Sequence, residues 1–216
     1  MSLGKEVRNF RESYNLFTLD ESQVSDNPFT QFEVWFAAAV EAGVKEPNAM
    51  SLATAAGGRP SLRIVLLKGF DETGFVFYTN YESRKAKEMT ENPQAAISFF
   101  WADLHRQIHI EGRIEKTTSA ESDDYYASRD RGSRIGAWAS AQSQIIPDRE
   151  LLEKKVTELE ARFEGQEIIP RPENWGGFRL IPNYFEFWQG RVSRLHDRIA
   201  YLSDESGNWK IVRKSP

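Results

Sequence analysis

The spacing of hydrophobic residues changes along the chain, and the first pattern is helical. Near the N-terminus, apolar side chains recur every three or four residues, at Phe32, Trp35, Phe36 and Val40. Asn27 and Pro28 precede this run as a cap and a first-turn proline. We therefore predict a helix that ends near Gly43 and turns this apolar face toward the core.

The middle of the chain instead has short runs rich in Val, Ile, Phe and Tyr. These runs predict strands over residues 49–55, 62–68, 75–79, 95–101 and 107–115. Turn signals separate the runs, at Gly57-Gly58 and at Asp71-Glu-Thr-Gly74. Because the spacers are too short for crossover helices, we expect antiparallel pairing. Ser83 can cap one short helix that runs to Met89.

The second half continues with helices and then returns to strands. Helices are predicted over residues 119–128, 133–139 and 147–163, and strands over 177–188, 194–201 and 209–212. A short charged helix over residues 6–17 would place Arg8, Arg11 and Tyr14 on one face. We expect a single domain over residues 1–216, mainly β with flanking helices, whose antiparallel strands form a barrel or a strongly bent sheet. Residues 1–20 are expected to be a mobile lid segment.

Composition narrows the classes of function. A chain of 216 residues with 40% hydrophobic residues can bury a substantial core. Its net charge of −4 disfavours general nucleic-acid binding, and the lack of cysteine excludes disulfides and thiolate metal sites. No membrane-length apolar run occurs, so we expect a cytoplasmic protein. His105 and His109 lie in a predicted strand, where a spacing of four does not suit a metal site.

Several cations lie next to predicted strand and helix ends. Arg63 and Lys68 bracket an apolar strand and differ by an odd number of positions, so they are expected on opposite faces, where they could serve two separate anions. Ser83, Arg84 and Lys85 stand at a helix start, where free N–H groups, a hydroxyl and two cations make a phosphate cradle. The alternative for Ser83, Arg84 and Lys85 is an ordinary helix start exposed to solvent.

A second group of candidate anion ligands follows in the helical region. Tyr125 and Arg129 lie four residues apart on a predicted helix, and Ser133 begins the next one. Their side chains suit a phosphate, although a Tyr and Arg pair at this spacing is also typical of a stacked surface pair. Gln142-Ser143 could reach an anion from a polar loop. Gln107 could offer its amide to a heteroaromatic ring or simply face outward from its strand.

The segment Arg191-Val-Ser-Arg-Leu-His-Asp-Arg198 concentrates three arginines and a histidine just after Trp188. An indole can cover an apolar ring, the arginines keep their charge, and His196 can exchange a proton near neutrality. The segment therefore indicates a pocket for an aromatic anion, with a strand that has a solvated arginine-rich face as the alternative. No nucleotide-binding fingerprint or nucleophile elbow is present. Two phosphorylated ligands, an aromatic cofactor and a substrate stacked on it, are the simplest explanation for so many anion-binding elements.

An ordered set of short motifs resembles the pyridoxamine 5′-phosphate oxidase family. The similarity extends from Arg11 to Pro216 and rests on these segments: Arg63-Ile-Val-Leu-Leu-Lys68, Phe77-Tyr-Thr-Asn80, Ser83-Arg-Lys85, Arg106-Gln107, Ile135-Gly-Ala-Trp138, Gln142-Ser143, Trp175-Gly-Gly-Phe178, Phe187-Trp-Gln-Gly190 and Arg194-Leu-His-Asp-Arg198. Each motif is weak alone, but their order and spacing are specific. The resemblance implies an antiparallel FMN-binding split β-barrel and a homodimer with two flavin sites at the subunit interface.

The resemblance also implies roles for individual residues. FMN would be held at its phosphate and ribityl end by Arg63, Arg84, Lys85 and Ser143, and along the flavin by Ile64, Val65, Leu66, Leu67 and Lys68. The flavin site would also be lined by Tyr78, Thr79, Gln107 and Gln142. Two further contacts would come from the other subunit, through Trp188 and Arg198. The substrate phosphate would be bound by Lys68, Tyr125, Arg129 and Ser133. The substrate ring would lie under Arg194 and His196, the expected catalytic residues, with Arg11 and Tyr14 in the lid.

The activity implied is oxidation of pyridoxamine 5′-phosphate or pyridoxine 5′-phosphate to pyridoxal 5′-phosphate, with reduction of O2 to H2O2. Two alternatives are a non-catalytic flavin- or pyridoxal-phosphate-binding protein of the same fold and a flavin reductase. The second set of phosphate ligands disfavours both, because a protein that bound only flavin would not need it.

Overall fold

The computed structural model describes residues 6–10, 12–204 and 206–216, without the side chain of Arg8. The helices are α1 (Pro28–Glu41), α2 (Arg84–Glu91), α3 (Ser119–Ser128), α4 (Arg131–Ala139) and α5 (Glu150–Arg162). The strands are β1 (Ala49–Ala56), β2 (Arg59–Leu66), β3 (Gly69–Asp71), β4 (Gly74–Asn80), β5 (Gln94–Trp101), β6 (Arg106–Lys116), β7 (Trp175–Gln189), β8 (Asp197–Ser203) and β9 (Trp209–Arg213). None of the described helices combines the length and apolar character needed to cross a membrane.

The strands form a nine-stranded sheet in the order β2-β1-β5-β6-β7-β4-β3, with β8 on β7 and β9 on β8. The pairs β1–β2, β3–β4, β4–β7, β7–β8 and β8–β9 are antiparallel. The prediction of an antiparallel, mainly β fold with flanking helices is therefore confirmed. Pro60 in β2 has no N–H to donate. It is tolerated because β2 lies at one end of the sheet order, so no strand on its free side needs that hydrogen bond.

Two compact units divide the chain. The first contains the described residues up to Pro47, Ser98–Ile110 and Asn183–Pro216, and the second contains Asn48–Ile97 and Glu111–Pro182. The expectation of a single domain stays a prediction. Strands β5, β6 and β7 contribute residues to both units.

The core of the first unit forms around α1, as the helical spacing predicts. The Asn27 side chain caps the helix by accepting from the N–H of Phe29. Phe32 and Trp35 are buried, and the Trp35 ring packs edge-on against Phe187 at 5.3 Å between centroids. Val40 is 55% exposed, so its assignment to the core face is wrong: the last turn of α1 carries it away from the packed stripe.

The core of the second unit is built on β4 and β1. Phe75 and Phe77 are fully buried on β4, and Leu52 is fully buried on β1. Gly112 on β6 lies so close to the Ile181 carbonyl that any Cβ would overlap it. Only glycine therefore permits this approach of the two backbones.

The predicted N-terminal helix is wrong. Between residues 6 and 17, the described residues are helical only at Glu6 and in the 3-10 turn Val7–Asn9, and Glu6 makes no side-chain cap bond there. The segment is held by distant partners instead, because the Tyr14 ring packs against His105 at 4.5 Å and the Arg106 guanidinium lies 4.9 Å from the Phe17 ring centroid. These contacts favour an irregular backbone over a short helix that has little apolar surface to bury.

Other differences concern element ends. β8 begins at Asp197, not at residue 194, because Ser193 and Arg194 have φ values of 57° and 62°, which a strand cannot accommodate. Helix α4 begins at Arg131, two residues early, because the Asp130 carboxylate caps it by accepting from the N–H of Ser133. The three-residue strand β3 was not predicted, since it is too short to show a pattern.

Candidate functional site

A cavity of about 930 Å³ opens in the second unit, between β2, β4, α2, α3 and α4. Its lining includes members of both predicted ligand sets: Arg63, Ile64, Val65, Leu66, Lys68, Tyr78, Thr79, Lys85, Gln142, Tyr125, Arg129 and Ser133. The structure thus brings the larger part of the predicted cofactor and substrate-phosphate residues into one cavity. Such a volume suits ligands of drug or cofactor size.

Lys85 is a buried cation in this lining. It lies in the first turn of α2, and its Nζ donates to Thr79 Oγ1 at 3.0 Å and to Gln142 Oε1 at 3.2 Å. Burial lowers the pKa of Lys85, and the neighbouring charge of Arg63 lowers it further. Within the described chain, its hydrogen-bond partners are neutral oxygens only, so the ammonium keeps its capacity to neutralise an anion.

Arg63 reaches the same region from β2 and is held by a carboxylate. Its Nη2 lies 2.9 Å from Glu88 Oε2, and its Nη1 donates to the Leu52 carbonyl and to Thr54 Oγ1. Arg84 shares this carboxylate, since its Nε lies 2.7 Å from Glu88 Oε1. The Arg84 side chain is 64% exposed and is not among the residues that line the cavity.

Glu88 is therefore the common partner of two predicted phosphate ligands. Burial would raise the pKa of this carboxyl, but hydrogen bonds from Thr54, Ser61, Arg84 and Arg63 outweigh burial and lower the pKa to about 2. The carboxylate is ionised across the neutral range. Its spacing of four residues from Arg84 on α2 is the signal in the sequence that indicates this pairing.

The predicted substrate-phosphate residues lie against an aromatic stack. The Tyr125 ring stacks on Tyr78 at 4.0 Å between centroids, and Trp175 stacks on Tyr78 at 5.5 Å. The Arg129 guanidinium lies 4.7 Å from the Trp175 ring centroid, and Lys68 Nζ lies 5.8 Å from that of Tyr125. Arg129 Nη1 is buried with no hydrogen-bond partner in the described chain. A buried donor of this kind calls for an acceptor from a ligand or from water.

The expectation that Arg63 and Lys68 face opposite sides is wrong. Strand β2 ends at Leu66, and the backbone N–H of Lys68 then bonds to the Val76 carbonyl at 2.8 Å. The two-residue alternation stops where the strand ends, and both side chains line the same cavity.

Other predicted ligands lie outside this lining. Leu67 is buried with 5% exposure, and Ser143, with φ of 72°, lines a smaller cavity of about 110 Å³. Gln107 is half-buried at the start of β6 in the first unit. Tyr14, Trp188, Arg194, His196 and Arg198 also belong to the first unit. Arg11 lies outside the described residues.

In the first unit, the aromatic side chains of the predicted substrate group form a cluster. The Tyr14 ring packs edge-on against His105, Trp188 and His196, at centroid distances of 4.5, 5.7 and 5.8 Å. A Cβ at Gly190 would lie 2.8 Å from the Tyr14 side chain, so this approach requires glycine. Tyr14 therefore packs with His196 and Trp188 although no helix carries it.

His196 has a defined tautomer when neutral. The backbone N–H of Arg191 donates to His196 Nδ1 at 3.0 Å, which leaves Nε2 as the nitrogen that carries hydrogen. Burial lowers the pKa of His196, and the charge of Arg194 adds to this effect. The ring is thus suited to donate a hydrogen bond from Nε2.

Arg194 and Arg198 differ in whether an ion pair within the described chain holds the side chain. Arg194 closes the 3-10 turn Val192–Arg194, is exposed, and forms no ion pair within the described chain. Arg198 forms a two-pronged pair with Glu186, at 2.9 Å from Nε and 2.8 Å from Nη2, and donates from Nη1 to the Ser215 carbonyl. Arg194 is therefore available to a ligand, whereas Arg198 has a fixed direction.

Trp175 is the site residue that the assignment of roles missed. It lies at the start of β7 opposite Asn80 of β4, so its place in the aromatic stack follows from strand register. The Trp175-Gly-Gly-Phe178 motif is visible in the sequence, but its proximity to Arg129 depends on a pairing between residues far apart in the chain.

Comparisons with known proteins find relatives along nearly the whole chain. Residues 36–163 match the family model for pyridoxamine 5′-phosphate oxidase, and residues 175–216 match the pyridoxine 5′-phosphate oxidase C-terminal dimerisation region. The chain is 56% identical to the pyridoxine/pyridoxamine 5′-phosphate oxidases of Cupriavidus pinatubonensis and Burkholderia thailandensis. These alignments cover 98% and 97% of this chain and 99% of each relative.

Solved structures show the same fold. PhzG from Burkholderia lata 383, in complex with tetrahydrophenazine-1-carboxylic acid, superposes with a TM-score of 0.88 at 33% identity, over 95% of this chain and all of that one. A pyridoxamine 5′-phosphate oxidase-related, FMN-binding protein from Nostoc punctiforme has a TM-score of 0.69 at 17% identity, over 86% of this chain and 97% of its own. The split-barrel prediction is confirmed. This chain belongs to the pyridoxamine 5′-phosphate oxidase family of oxidoreductases.

Proposed function

We propose that this protein is an FMN-dependent oxidase that converts pyridoxamine 5′-phosphate or pyridoxine 5′-phosphate to pyridoxal 5′-phosphate, with reduction of O2 to H2O2. The observation that carries the proposal is the presence of two cationic groups in one cavity. Arg63 and Lys85 form the first group, and Lys68 and Arg129 the second, which lies against the aromatic stack. Two groups of this kind suit two phosphate monoesters whose rings stack on each other within one cavity.

The chemistry of the first group fits FMN. The buried Lys85 ammonium has neutral oxygen partners in the described chain, so a phosphate would supply a negative charge that it lacks. Ile64, Val65 and Leu66 give the same lining an apolar edge for a flavin ring. Thr79 and Gln142, already joined at 2.8 Å, offer polar groups beside it.

Bound FMN would supply the redox chemistry: it would accept a hydride from C4′ of the substrate and pass the two electrons to O2. With the amine substrate, water would then hydrolyse the imine to the aldehyde, and the nitrogen would leave as ammonia. The protein binds and orients both ligands. Arg129, with Tyr125 and Ser133, would fix the substrate phosphate, and positioning of this kind lowers barriers substantially when the reacting atoms are held in near-attack geometry.

The C-terminal match to a dimerisation region supports a homodimer. We propose that the partner chain completes the site with its own Trp188, Arg194, His196 and Arg198. Arg194 would polarise the substrate, and His196 would orient it through its Nε2 hydrogen. Arg11 and Tyr14 are proposed as lid residues, the latter from its packing beside His196.

The similarity to PhzG favours one second candidate, an oxidase of a phosphate-free aromatic acid. Its basis is the TM-score of 0.88 at 33% identity. The unpartnered Arg129 Nη1 and the Lys68 ammonium, which contact the same aromatic stack, support a phosphorylated substrate instead, because one carboxylate on a large ring would not need both cations in addition to those for FMN.

The test is flavin identification followed by a substrate comparison. The purified protein should release FMN and not FAD, and it should form peroxide with pyridoxamine 5′-phosphate at low concentration. Pyridoxamine without phosphate is the matched substrate control and should require a far higher concentration. Stoichiometric FAD, or equal activity with both amines, would contradict the proposal.

A further inference from the structure

Trp175 has a position in the cavity that none of the predicted ligand roles explains. Its side chain is 7% exposed, and its ring lies face to face with Tyr78 and Tyr125, at interplanar angles of 11° and 8°. On the same ring lies the Arg129 guanidinium, 4.7 Å from the centroid. One indole therefore contacts two of the residues proposed to hold the substrate phosphate.

The backbone fixes the indole from both sides. The Trp175 N–H donates to the Pro172 carbonyl at 3.1 Å, and the Trp175 carbonyl accepts from Arg171 Nη1 at 2.6 Å. Tyr126 packs edge-on against the indole at 5.2 Å. With its backbone bonded and its ring enclosed, Trp175 offers a rigid face rather than a mobile side chain.

Arg129 depends on such a face. Arg129 directly follows α3 as its C-cap, where the backbone leaves the helix, and no salt bridge orients its side chain within the described chain. Its Nη1 is buried without a hydrogen-bond partner there. A guanidinium held over an aromatic ring by a cation–π contact, without a carboxylate partner, keeps N–H groups free for an anion.

We propose that Trp175 is a positioning residue for substrate recognition: its indole holds the Arg129 guanidinium ready for a phosphate monoester before the ligand arrives. The inference rests on the proposed function and extends it, because it assigns the affinity for the phosphate group partly to a residue that acts through Arg129. The benefit is preorganisation, since less side-chain freedom is lost on binding.

A purely structural role makes a different prediction. If Trp175 only filled space, its loss would loosen the whole cavity, and FMN and substrate would lose affinity together. If it acts through Arg129, the loss concerns the substrate phosphate and disappears when Arg129 is absent.

The experiment measures two dissociation constants in each variant: FMN on the apoprotein, by quenching of flavin fluorescence, and pyridoxal 5′-phosphate on the FMN-loaded protein, by absorbance titration. Trp175→Met keeps most of the volume without a ring, and Trp175→Gln is a second ring-free variant in case the first does not fold. Trp175→Phe restores an aromatic face. Trp138→Met is the matched control, because Trp138 carries an arginine, Arg162, at 5.2 Å and is not among the cavity-lining residues.

We expect the ring-free variants to weaken pyridoxal 5′-phosphate binding about tenfold, as a partly desolvated cation–π contact implies, with FMN affinity changed less than about twofold. Trp175→Phe should recover most of the loss, and Trp138→Met should behave as wild type. In an Arg129→Ala background, removing the Trp175 ring should add less than about a twofold effect.

Unchanged pyridoxal 5′-phosphate affinity, parallel loss of FMN, or full additivity with Arg129→Ala would each overturn the inference. Failure of the proposed function is distinguishable from these outcomes, because the wild-type protein would then bind no FMN or no pyridoxal 5′-phosphate.

Discussion

Arg63 and Glu88 form an ion pair of 2.9 Å in which the carboxylate side chain is only 9% exposed. The pair links β2 to α2, and the same carboxylate accepts from Thr54 Oγ1 at 2.5 Å and Ser61 Oγ at 2.8 Å. Glu88 therefore fixes the direction of a proposed phosphate ligand while it joins two elements that border the cavity.

The first prediction concerns this carboxylate and acid stability. The pKa of Glu88 is about 2 in the folded protein, below its ordinary value of 4.5, so its ionised form stabilises the fold. That stabilisation is fully present above pH 4.5 and is lost as the pH falls toward 2.

Glu88→Gln should therefore lower the free energy of unfolding at pH 7, by about 1–3 kcal/mol for a buried charged hydrogen-bond partner. The difference from wild type should shrink as the pH falls through this window. Urea unfolding at several pH values measures it. Glu91→Gln is the control, because Glu91 lies on the same helix. Within the described chain, its carboxylate accepts one hydrogen bond, from the Gly57 N–H. A difference that does not depend on pH would contradict the assignment.

A second prediction tests the buried ammonium of Lys85. Lys85→Met keeps the length of the side chain and removes its charge, so FMN affinity should fall about tenfold or more, as loss of a charge-assisted bond implies. Riboflavin, which lacks the phosphate, should be affected much less. Lys87→Met, an exposed position on the same helix, provides the control. If FMN and riboflavin lose affinity equally, the phosphate lies elsewhere.

A third prediction separates the two phosphate groups. Arg129→Ala should raise the KM for pyridoxamine 5′-phosphate and leave FMN affinity nearly unchanged, because the two cations of the FMN group are untouched. Steady-state peroxide formation and flavin titration give the two values. Equal losses of both affinities would show that the two groups serve one ligand.

The fourth prediction concerns Arg194, whose side chain is exposed and without an ion pair in the described chain. Arg194→Leu keeps much of the bulk and removes the donors. FMN should stay bound, while the rate of flavin reduction at saturating substrate falls at least about tenfold, or 1.4 kcal/mol. Anaerobic stopped-flow absorbance measures this rate apart from reoxidation. A wild-type rate would exclude Arg194 from the reaction.

A fifth prediction tests whether two chains share each site. Lys85→Met and Arg198→Ala subunits, each weak alone, should regain activity when mixed and allowed to exchange, because one site of the heterodimer then contains neither lesion. Subunit exchange is verified by differently tagged chains. No recovery after verified exchange would mean that Lys85 and Arg198 do not act across the interface.

The strand pattern and the local caps could be predicted from the sequence, because each depends on neighbours in the chain. Asn27 and Ser83 stand at the helix starts where their side chains indicate caps. Whether residues 6–17 form a helix could not be predicted from local pattern, since the segment contacts residues far along the chain, as Tyr14 does with His105. The predicted strand start at residue 194 is wrong for a related reason. The positive φ of Arg194 belongs to a turn, which the strand pattern does not reveal.

For the candidate site, residue types were more predictable than their contacts. Lys85, Arg129 and Tyr125 were identified from spacing and family resemblance, and all three line the cavity. Trp175 was recognised only as part of a motif, because its contact with Arg129 arises from the pairing of β4 with β7. Pairings across a sheet depend on the register of distant segments, which one sequence does not display.

The central claim is that one cavity binds FMN together with a phosphorylated amine or alcohol and oxidises it. The most direct test is an anaerobic titration of the FMN-loaded protein with pyridoxamine 5′-phosphate, followed by admission of O2. We predict that the flavin absorbance bleaches with one equivalent of substrate per flavin, that pyridoxal 5′-phosphate appears in equal amount, and that O2 restores the absorbance with formation of H2O2. Flavin that stays oxidised at saturating pyridoxamine 5′-phosphate and pyridoxine 5′-phosphate would contradict the account.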